Sequence, residues 1–246
     1  MKLSVKKIVL TIFVLLVLAV VNALFGNPIS KALAERGADK VIAEKYGDLD
    51  LSREKAVYNF KIPEYVVHLQ DKNSEDSAFE LCFDALGRLR EDTYKWRINN
   101  TMMRFDAALR EHGHDLEKAY DFPYVITLSY WDKVDPTEYL TVDQPVDMKH
   151  LPFKLQVDIE GVGEEITAKE AMAVLQRAQG IMDAEGLNVT AYAIDLTSEK
   201  RVNEKGEVQK PKDAFFAMDI PQTMVREGNV DALEELSQKQ MTEGKD

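Results

Sequence analysis

Cysteine, proline and glycine are scarce in this chain: one Cys, eight Pro and twelve Gly among 246 residues. A single thiol excludes an intramolecular disulfide framework and a zinc site built from several thiolates. So little Pro and Gly, with 45% hydrophobic residues, excludes collagen-like, low-complexity and disordered chains. Basic charge is short as well. The 31 Lys and Arg against 43 Asp and Glu leave −12, the wrong sign for gripping a phosphate backbone, so no nucleic-acid partner is expected. The catalytic signatures G-x-S-x-G, H-E-x-x-H and G-x-x-x-x-G-K are also missing. Gly161-Val162-Gly163 lacks the third glycine of a dinucleotide fingerprint. No cofactor is expected, and no residue is singled out as catalytic.

What is present begins with an apolar run. Ile8 to Phe25 (IVLTIFVLLVLAVVNALF) is interrupted only by Thr11 and Asn22. Eighteen helical residues reach about 27 Å, close to the ~30 Å of a hydrocarbon core. Ile8, Phe13, Leu16, Leu18, Val21 and Phe25 are its anchoring side chains. Lys2, Lys6 and Lys7 precede it, and no lysine follows until Lys31. That asymmetry puts the amino terminus in the cytoplasm and the body outside. Met1 to Phe25 hold three lysines and no acid, so the remainder carries −15. The alternative is a signal peptide cut after Ala23 in Val21-Asn22-Ala23, but the run exceeds the ~7–15 residues of an ordinary h-region. An uncleaved anchor is the expectation.

Three segments follow from this reading: 1–26 as cytoplasmic start and transmembrane anchor, 27–120 as a first α+β domain, and 121–246 as a second. Asn27-Pro28 opens a helix, Asn as cap and Pro in the first turn, and Tyr46-Gly47-Asp48 ends it. Strands are expected around Lys55–Ile62, Tyr65–Gln70 and Ala78–Asp84, with Asp71–Asp76 a polar loop. Phe79, Leu81 and Phe83 alternate with Glu80 and Cys82, which describes a sheet with one buried face. The longest helix, Glu91 to Lys118, carries an apolar stripe of Tyr94, Ile98, Met102, Phe105, Leu109, His112 and Leu116 that would cover that sheet, with Gly113 weakening its end. The first domain is therefore helix, three or four antiparallel strands, helix.

The second domain opens after Asp121-Phe122-Pro123. Strands are expected at Tyr124–Trp131, Phe153–Glu160, Asn188–Leu196 and Ala214–Ile220. Asp132–Lys149 reads as loop, and a charged segment spans Thr197–Asp213. Thr167-Ala168-Lys169-Glu170 forms a capping box for a helix that stops at Gly186. Asn229 caps a last helix, after which the tail Gln238–Asp246 should fray. The predicted fold class is α+β: an N-terminal transmembrane helix and two small two-layer domains, each an antiparallel sheet packed by helices. The recurrence of helix, strands and helix hints at an internal duplication.

The order of several residue groups points to a family. Gly26-Asn27-Pro28-Ile29-Ser30-Lys31 follows the anchor directly. Then come Tyr58-Asn59-Phe60-Lys61, Tyr65, Phe79 leading to Asp84 and Gly87, Asp92-Thr93-Tyr94, and Asn100-Thr101 with Arg104. Together they make the chain resemble the YfjL-like family of membrane-anchored proteins of Gram-positive bacteria, over about Gly26 to Arg104. The resemblance implies a single-pass anchor and two small domains, and it supplies no catalytic residues. The helix-then-sheet order is also similar, at the level of fold, to cystatin and PepSY modules, which bind rather than catalyse.

Candidate chemistry is thin. Glu111-His112-Gly113-His114-Asp115 resembles a metal-ligand cluster, but histidines two apart on a helix face different ways, and no metal site is expected. Asp71 to Asp76 imitates the start of a calcium loop, yet lacks its glycine and has Cys82 at the twelfth position. His68 and His150 show no partner in sequence. Cys82 reads as a packed thiol. Asn100, Thr101 and Arg104, on consecutive turns of the long helix, form a candidate polar patch. Tyr130 and Trp131 end an aromatic strand and could border a groove.

The expected function is a non-catalytic binding module at the cell envelope, not an enzyme. It would be held in the lipid bilayer by its first helix and would meet another envelope protein or a peptide. Two alternatives stand beside it: an extracytoplasmic hydrolase with a carboxylate site between the domains, and a secreted soluble protein after cleavage.

Overall fold

The computed structural model describes residues 5–131, 135–199 and 211–243. It divides into two compact units, Met1–Thr101 and Met102–Asp246.

Unit 1 begins with α1 (Val5–Phe25) and α2 (Pro28–Lys45). Asn27 caps α2 as expected, its side-chain oxygen accepting the Ile29 N–H at 2.8 Å. A meander follows: β1 (Leu51–Arg53), β2 (Val57–Asn59), β3 (Glu64–Asp71), β4 (Phe79–Phe83) and β5 (Leu89–Asp92). All pairings are antiparallel. β1 and β2 each pair with a different half of β3, so together they make one interrupted edge. Tyr65, Val67 and Leu69 of β3 share a face with Phe79, Leu81 and Phe83 of β4, and on that face they pack with Ala34 and Ala38 of α2. The small residues on α2 let its backbone approach the sheet closely.

α3 (Ile98–Ala119) spans the division between the units. Unit 2 continues with β6 (Val125–Tyr130), β7 (Leu155–Val162), α4 (Ala168–Glu185), β8 (Val189–Thr197), β9 (Ala214–Pro221), α5 (Gln222–Glu227) and α6 (Val230–Glu243). The sheet order is β6-β7-β8-β9. Leu155, Val157 and Ile159 of β7 and Tyr192, Ile194 and Leu196 of β8 form one core with Leu175 and Met182 of α4, Val225 of α5, Leu233 of α6, and Leu109 and Leu116 of α3.

Several expectations are corrected. The long helix starts at Ile98, not Glu91, because β5 and a 3-10 turn at Tyr94–Trp96 occupy the preceding residues. Its stripe does not cover the first sheet. Leu109 and Leu116 are buried in the core of unit 2, so the units divide after Thr101 rather than near Pro123. Gly113 does not weaken the helix either: it is buried, and a Cβ there would strike the Ile126 carbonyl of β6. The second sheet is not purely antiparallel. β7 and β8 run parallel, because α4 carries the chain back to the end where β7 began. A meander and a crossover are different topologies, so the duplication falls away. β2 stops at Asn59, leaving Phe60 to Pro63 in a turn. α6 extends to Glu243, well into the segment expected to fray. Parts of the expected loop Asp132–Lys149, of the charged segment Thr197–Asp213 and of the tail lie outside the described residues.

Candidate functional site

The anchor residues lie on α1, a helix of 21 residues. Phe13, Leu16, Val21 and Phe25 are all exposed. The side chains of Ile8 and Leu18 lie outside the described ones. One helix, near the amino terminus, is long and apolar enough to cross a membrane, and none of its apolar window is buried.

The candidate polar patch is built into supporting contacts. Asn100 Nδ2 donates to the main-chain carbonyls of Asp76 and Ala78, both at 2.8 Å. Thr101 Oγ1 donates to Asp76 Oδ2 at 2.7 Å, with Asp76 and Thr101 both buried. Ser77 Oγ accepts the Asp71 N–H and donates back within the same loop. The loop that imitates a calcium site is therefore braced against the first turn of α3 rather than fully solvated. In unit 2, Arg104 Nη2 donates to the Gln144 carbonyl at 2.8 Å.

The histidines have partners that the sequence does not show. His68 Nδ1 lies 3.1 Å from Glu80 Oε1 across β3 and β4, and His150 Nδ1 lies 2.8 Å from Asp147 Oδ2. His114 Nδ1 lies 3.0 Å from Glu117 Oε1, which also accepts the Ile126 N–H at 2.7 Å. Among the described residues no three or more of His, Cys, Asp and Glu converge as metal ligands. Cys82 is buried, and burial, followed by Glu64, Glu80 and Glu91, pushes its thiol up to about 12. Both causes disfavour the thiolate, the form that acts as a nucleophile.

The concave feature with a chemical character is in unit 2. A cavity of about 450 Å3 is lined by Tyr130, Trp131, Tyr139, Leu151, Pro152, Phe153, Lys154 and Asn188. The end of β6 supplies Tyr130, and the segment entering β7 supplies Leu151 to Lys154. Asn188 precedes β8, whose start is tied to β7 by the Leu155 N–H donating to the Asn188 carbonyl at 2.9 Å. The Phe153 ring meets Tyr130 at 6.2 Å and Phe105 of α3 at 5.7 Å, both edge-to-face, a geometry that fixes the wall. Burial, then Asp106 and Asp135, raises the Tyr130 hydroxyl. Burial likewise raises the Asp106 carboxyl, against the pull of Arg110. The cavity thus offers aromatic faces, the phenols of Tyr130 and Tyr139, the Lys154 ammonium and the Asn188 amide. That volume suits a small molecule or a few side chains of a peptide. The sequence pointed to Tyr130 and Trp131 but missed Tyr139, Leu151 and Pro152, which reach the cavity only through the folding of the loop before β7, and Asn188, which arrives from the residue before β8.

A second hollow, about 400 Å3, is lined by Pro123, Val125, Glu160, Gly161, Val162, Asp195 and Thr197. Glu160 and Asp195 are register partners on the parallel strands β7 and β8.

An apolar membrane-length helix, an α2-on-meander unit and a mixed-sheet unit with an aromatic cavity together define a two-unit α+β protein. Residues 1–93 match the family described as YfjL-like, N-terminal domain. No curated protein and no solved structure matches the chain.

Proposed function

We propose that this protein is a single-pass, membrane-tethered binding protein of the cell envelope, with its amino terminus in the cytoplasm and both units outside. The observation that carries the reading is the apolar run of α1: its described side chains from Val9 to Phe25 are exposed and, Thr11 and Asn22 apart, apolar, and lysines lie before that run and not immediately after it. In unit 1 a helix lies on an antiparallel sheet, an arrangement similar to cystatin and PepSY modules, and the analogy supports binding rather than catalysis. The aromatic cavity of unit 2 is the binding site in this reading. It takes an apolar or aromatic segment of another envelope protein or peptide, with Lys154 and Asn188 fixing its polar end. The body's charge of −15 makes a polyanionic wall component the wrong partner unless cations bridge the two.

Protease added to wall-stripped cells tests the location. The reading expects digestion of residues beyond Lys31 without opening the membrane; protection until the membrane is opened overturns it. A photocrosslinking side chain at Tyr139, on the cavity rim, tests the site. Discrete adducts are expected in intact membranes and should vanish when Trp131→Ala and Phe153→Ala remove the walls. Adducts indifferent to both substitutions would exclude the cavity.

A further inference from the structure

We propose that the end of the unit 1 sheet nearest α1 is a bilayer-seated surface, in which the turns at Phe60–Pro63 and Asp84–Arg88 place Phe60, Ile62 and Leu86 in the lipid interface beside Phe25 and Ile29. The inference rests on the reading of α1 as a membrane span and goes beyond it, since an anchor alone leaves the body in water.

Position comes first. α2 runs along the sheet from one end to the other. At its start, the Asn27 N–H donates to Tyr65 Oη at 2.6 Å, and Tyr65 Oη donates to the Asn27 carbonyl at 3.2 Å. Gly26 sits so close that an added Cβ would come within 2.7 Å of Tyr58 Cγ and 2.8 Å of Tyr65 Oη. Tyr58 and Tyr65 are register partners, and the next pair, Asn59 and Glu64, closes onto the Phe60 turn. Leu33, in the second turn of α2, lies against Gly87 of the other turn. At the far end of α2, Tyr46 meets Phe79 with ring centres 5.1 Å apart. Both turns therefore lie at the end of the sheet where α1 stops.

Chemistry separates the two ends. Phe60 is 57% exposed, Ile62 61% and Leu86 60%, with Ile29 at 71%. The loop at the opposite end reads Asp71-Lys72-Asn73-Ser74-Glu75-Asp76-Ser77 and contains no apolar residue, although Trp96, 53% exposed, lies near it beside Ala78 and Asn100. Large apolar side chains gathered at one end of a unit mark an interaction surface. Here they adjoin the point where an exposed apolar helix leaves the fold, which selects lipid as the occupant over a second copy or a peptide. Half-buried Tyr58 is an amphipathic ring of the kind that favours the headgroup level, while Tyr65 behind it is buried in the core. Lys31, Lys61 and Arg88 share this end and suit anionic headgroups. Asp84, the acid of the second turn, has its Oδ1 engaged by the Leu86 and Arg88 N–H groups at 2.8 and 3.0 Å.

The test uses the full chain with Cys82→Ala, so that one introduced cysteine carries an environment-sensitive NBD label. Labels go at Ile62→Cys and Leu86→Cys, at Asn73→Cys on the opposite end, and at Leu16→Cys within α1. Each protein is reconstituted in vesicles of phosphatidylcholine with a minority of phosphatidylglycerol, with and without nitroxide-bearing lipid. The proposal expects blue-shifted emission at 16, 62 and 86 that nitroxide lipid extinguishes, and emission at 73 that it leaves unchanged. Quenching at 16 alone, with 62 and 86 behaving like 73, overturns the proposal and leaves the anchor standing. A label at 16 that escapes quenching overturns the anchor and the proposal with it. A blue shift at 62 and 86 that ignores nitroxide lipid and grows with protein density shows a second copy on this surface, and that also overturns it.

Discussion

Unit 1 and unit 2 close their cores by different means. In unit 1 a single helix lies on a meander, and the space between them is filled by alanines on α2 and by the rings of Tyr46, Tyr65, Phe79 and Phe83. Its tyrosines carry their hydroxyls to polar partners. Tyr46 Oη donates to both oxygens of Asp92, at 2.9 and 2.8 Å, and Lys45 Nζ holds the same carboxylate at 2.9 Å. Unit 2 buries aliphatic residues from several helices against a mixed sheet, and the Tyr192 hydroxyl sits inside that core with no hydrogen-bond partner among the described residues. A core made by close backbone approach and anchored rings should be sensitive to added atoms and lost hydroxyls. One made by interdigitated aliphatic side chains should be sensitive chiefly to removed volume.

Matched substitutions sharpen or break that contrast, read by hydrogen exchange on the full chain. The largest effects come from core truncation. Phe83→Ala should cost about 3–5 kcal/mol and Leu175→Ala about 2–5 kcal/mol, with exchange protection lost first in the unit that carries the change. Simultaneous loss in both units would show that they do not unfold separately, and the comparison would fail.

Two glycines come next. Gly87 (φ +75°) and Gly186 (φ +71°) have the same left-handed backbone, but an added Cβ meets the Leu33 main chain at the first and nothing within 4 Å at the second. Gly87→Ala should therefore cost about 2–4 kcal/mol, against about 1 kcal/mol for Gly186→Ala. Equal costs would remove the case for close packing in unit 1.

Hydroxyl removal should have opposite consequences in the two units. Tyr46→Phe breaks a hydrogen bond to a carboxylate and should cost about 1.5 kcal/mol, whereas Tyr192→Phe removes an unpartnered buried hydroxyl and should be neutral or stabilising. The first change also has a pH signature. Burial opposes ionisation of Asp92, but Lys45, Tyr46 and the Tyr94 N–H together hold its carboxyl below the usual value of 3.8. Its contribution is therefore present above that value and is lost as pH falls through the lower folded one. Tyr46→Phe should raise the folded value toward 3.8 and shrink the acid-induced loss, measured as denaturant midpoint against pH.

The smallest effects belong to the caps. Asn27→Ala and Thr167→Ala should each cost about 1 kcal/mol. The Asn27 change also tests the joint beside Tyr65: markedly faster exchange at Tyr65 in that variant would show that the cap and the joint act together.

How far the sequence could be read depends on the range of the interactions involved. Helix starts at Asn27 and Thr167 were legible because a cap is satisfied within three residues. The faces of β4 were legible because side chains alternate strictly along a strand. The stripe on α3 announced a buried face without saying against which sheet, since Leu109 and Leu116 would look the same in either core. Phe60 and Ile62 fit a strand period, and only the register of β2 with β3 showed that pairing ends at Asn59 and Glu64. Asp76 reads as a solvated loop acid until Thr101 is brought to it. The cavity of unit 2 was half visible: Tyr130 and Trp131 close an aromatic strand, whereas Tyr139 and Asn188 arrive from distant positions.

Taken alone, the order of residues determined the apolar first helix, its lysine asymmetry, the α+β class, most element boundaries and the family resemblance. Each of these follows from local periodicity, capping or composition. The tertiary structure alone decided which sheet α3 joins, the parallel pairing of β7 and β8, the burial of Asp76 and Thr101, the walls of the aromatic cavity and the gathering of Phe60, Ile62 and Leu86 at one end of the first sheet. These depend on contacts between residues far apart in the chain, and a hydrophobic pattern does not encode which partner it will meet.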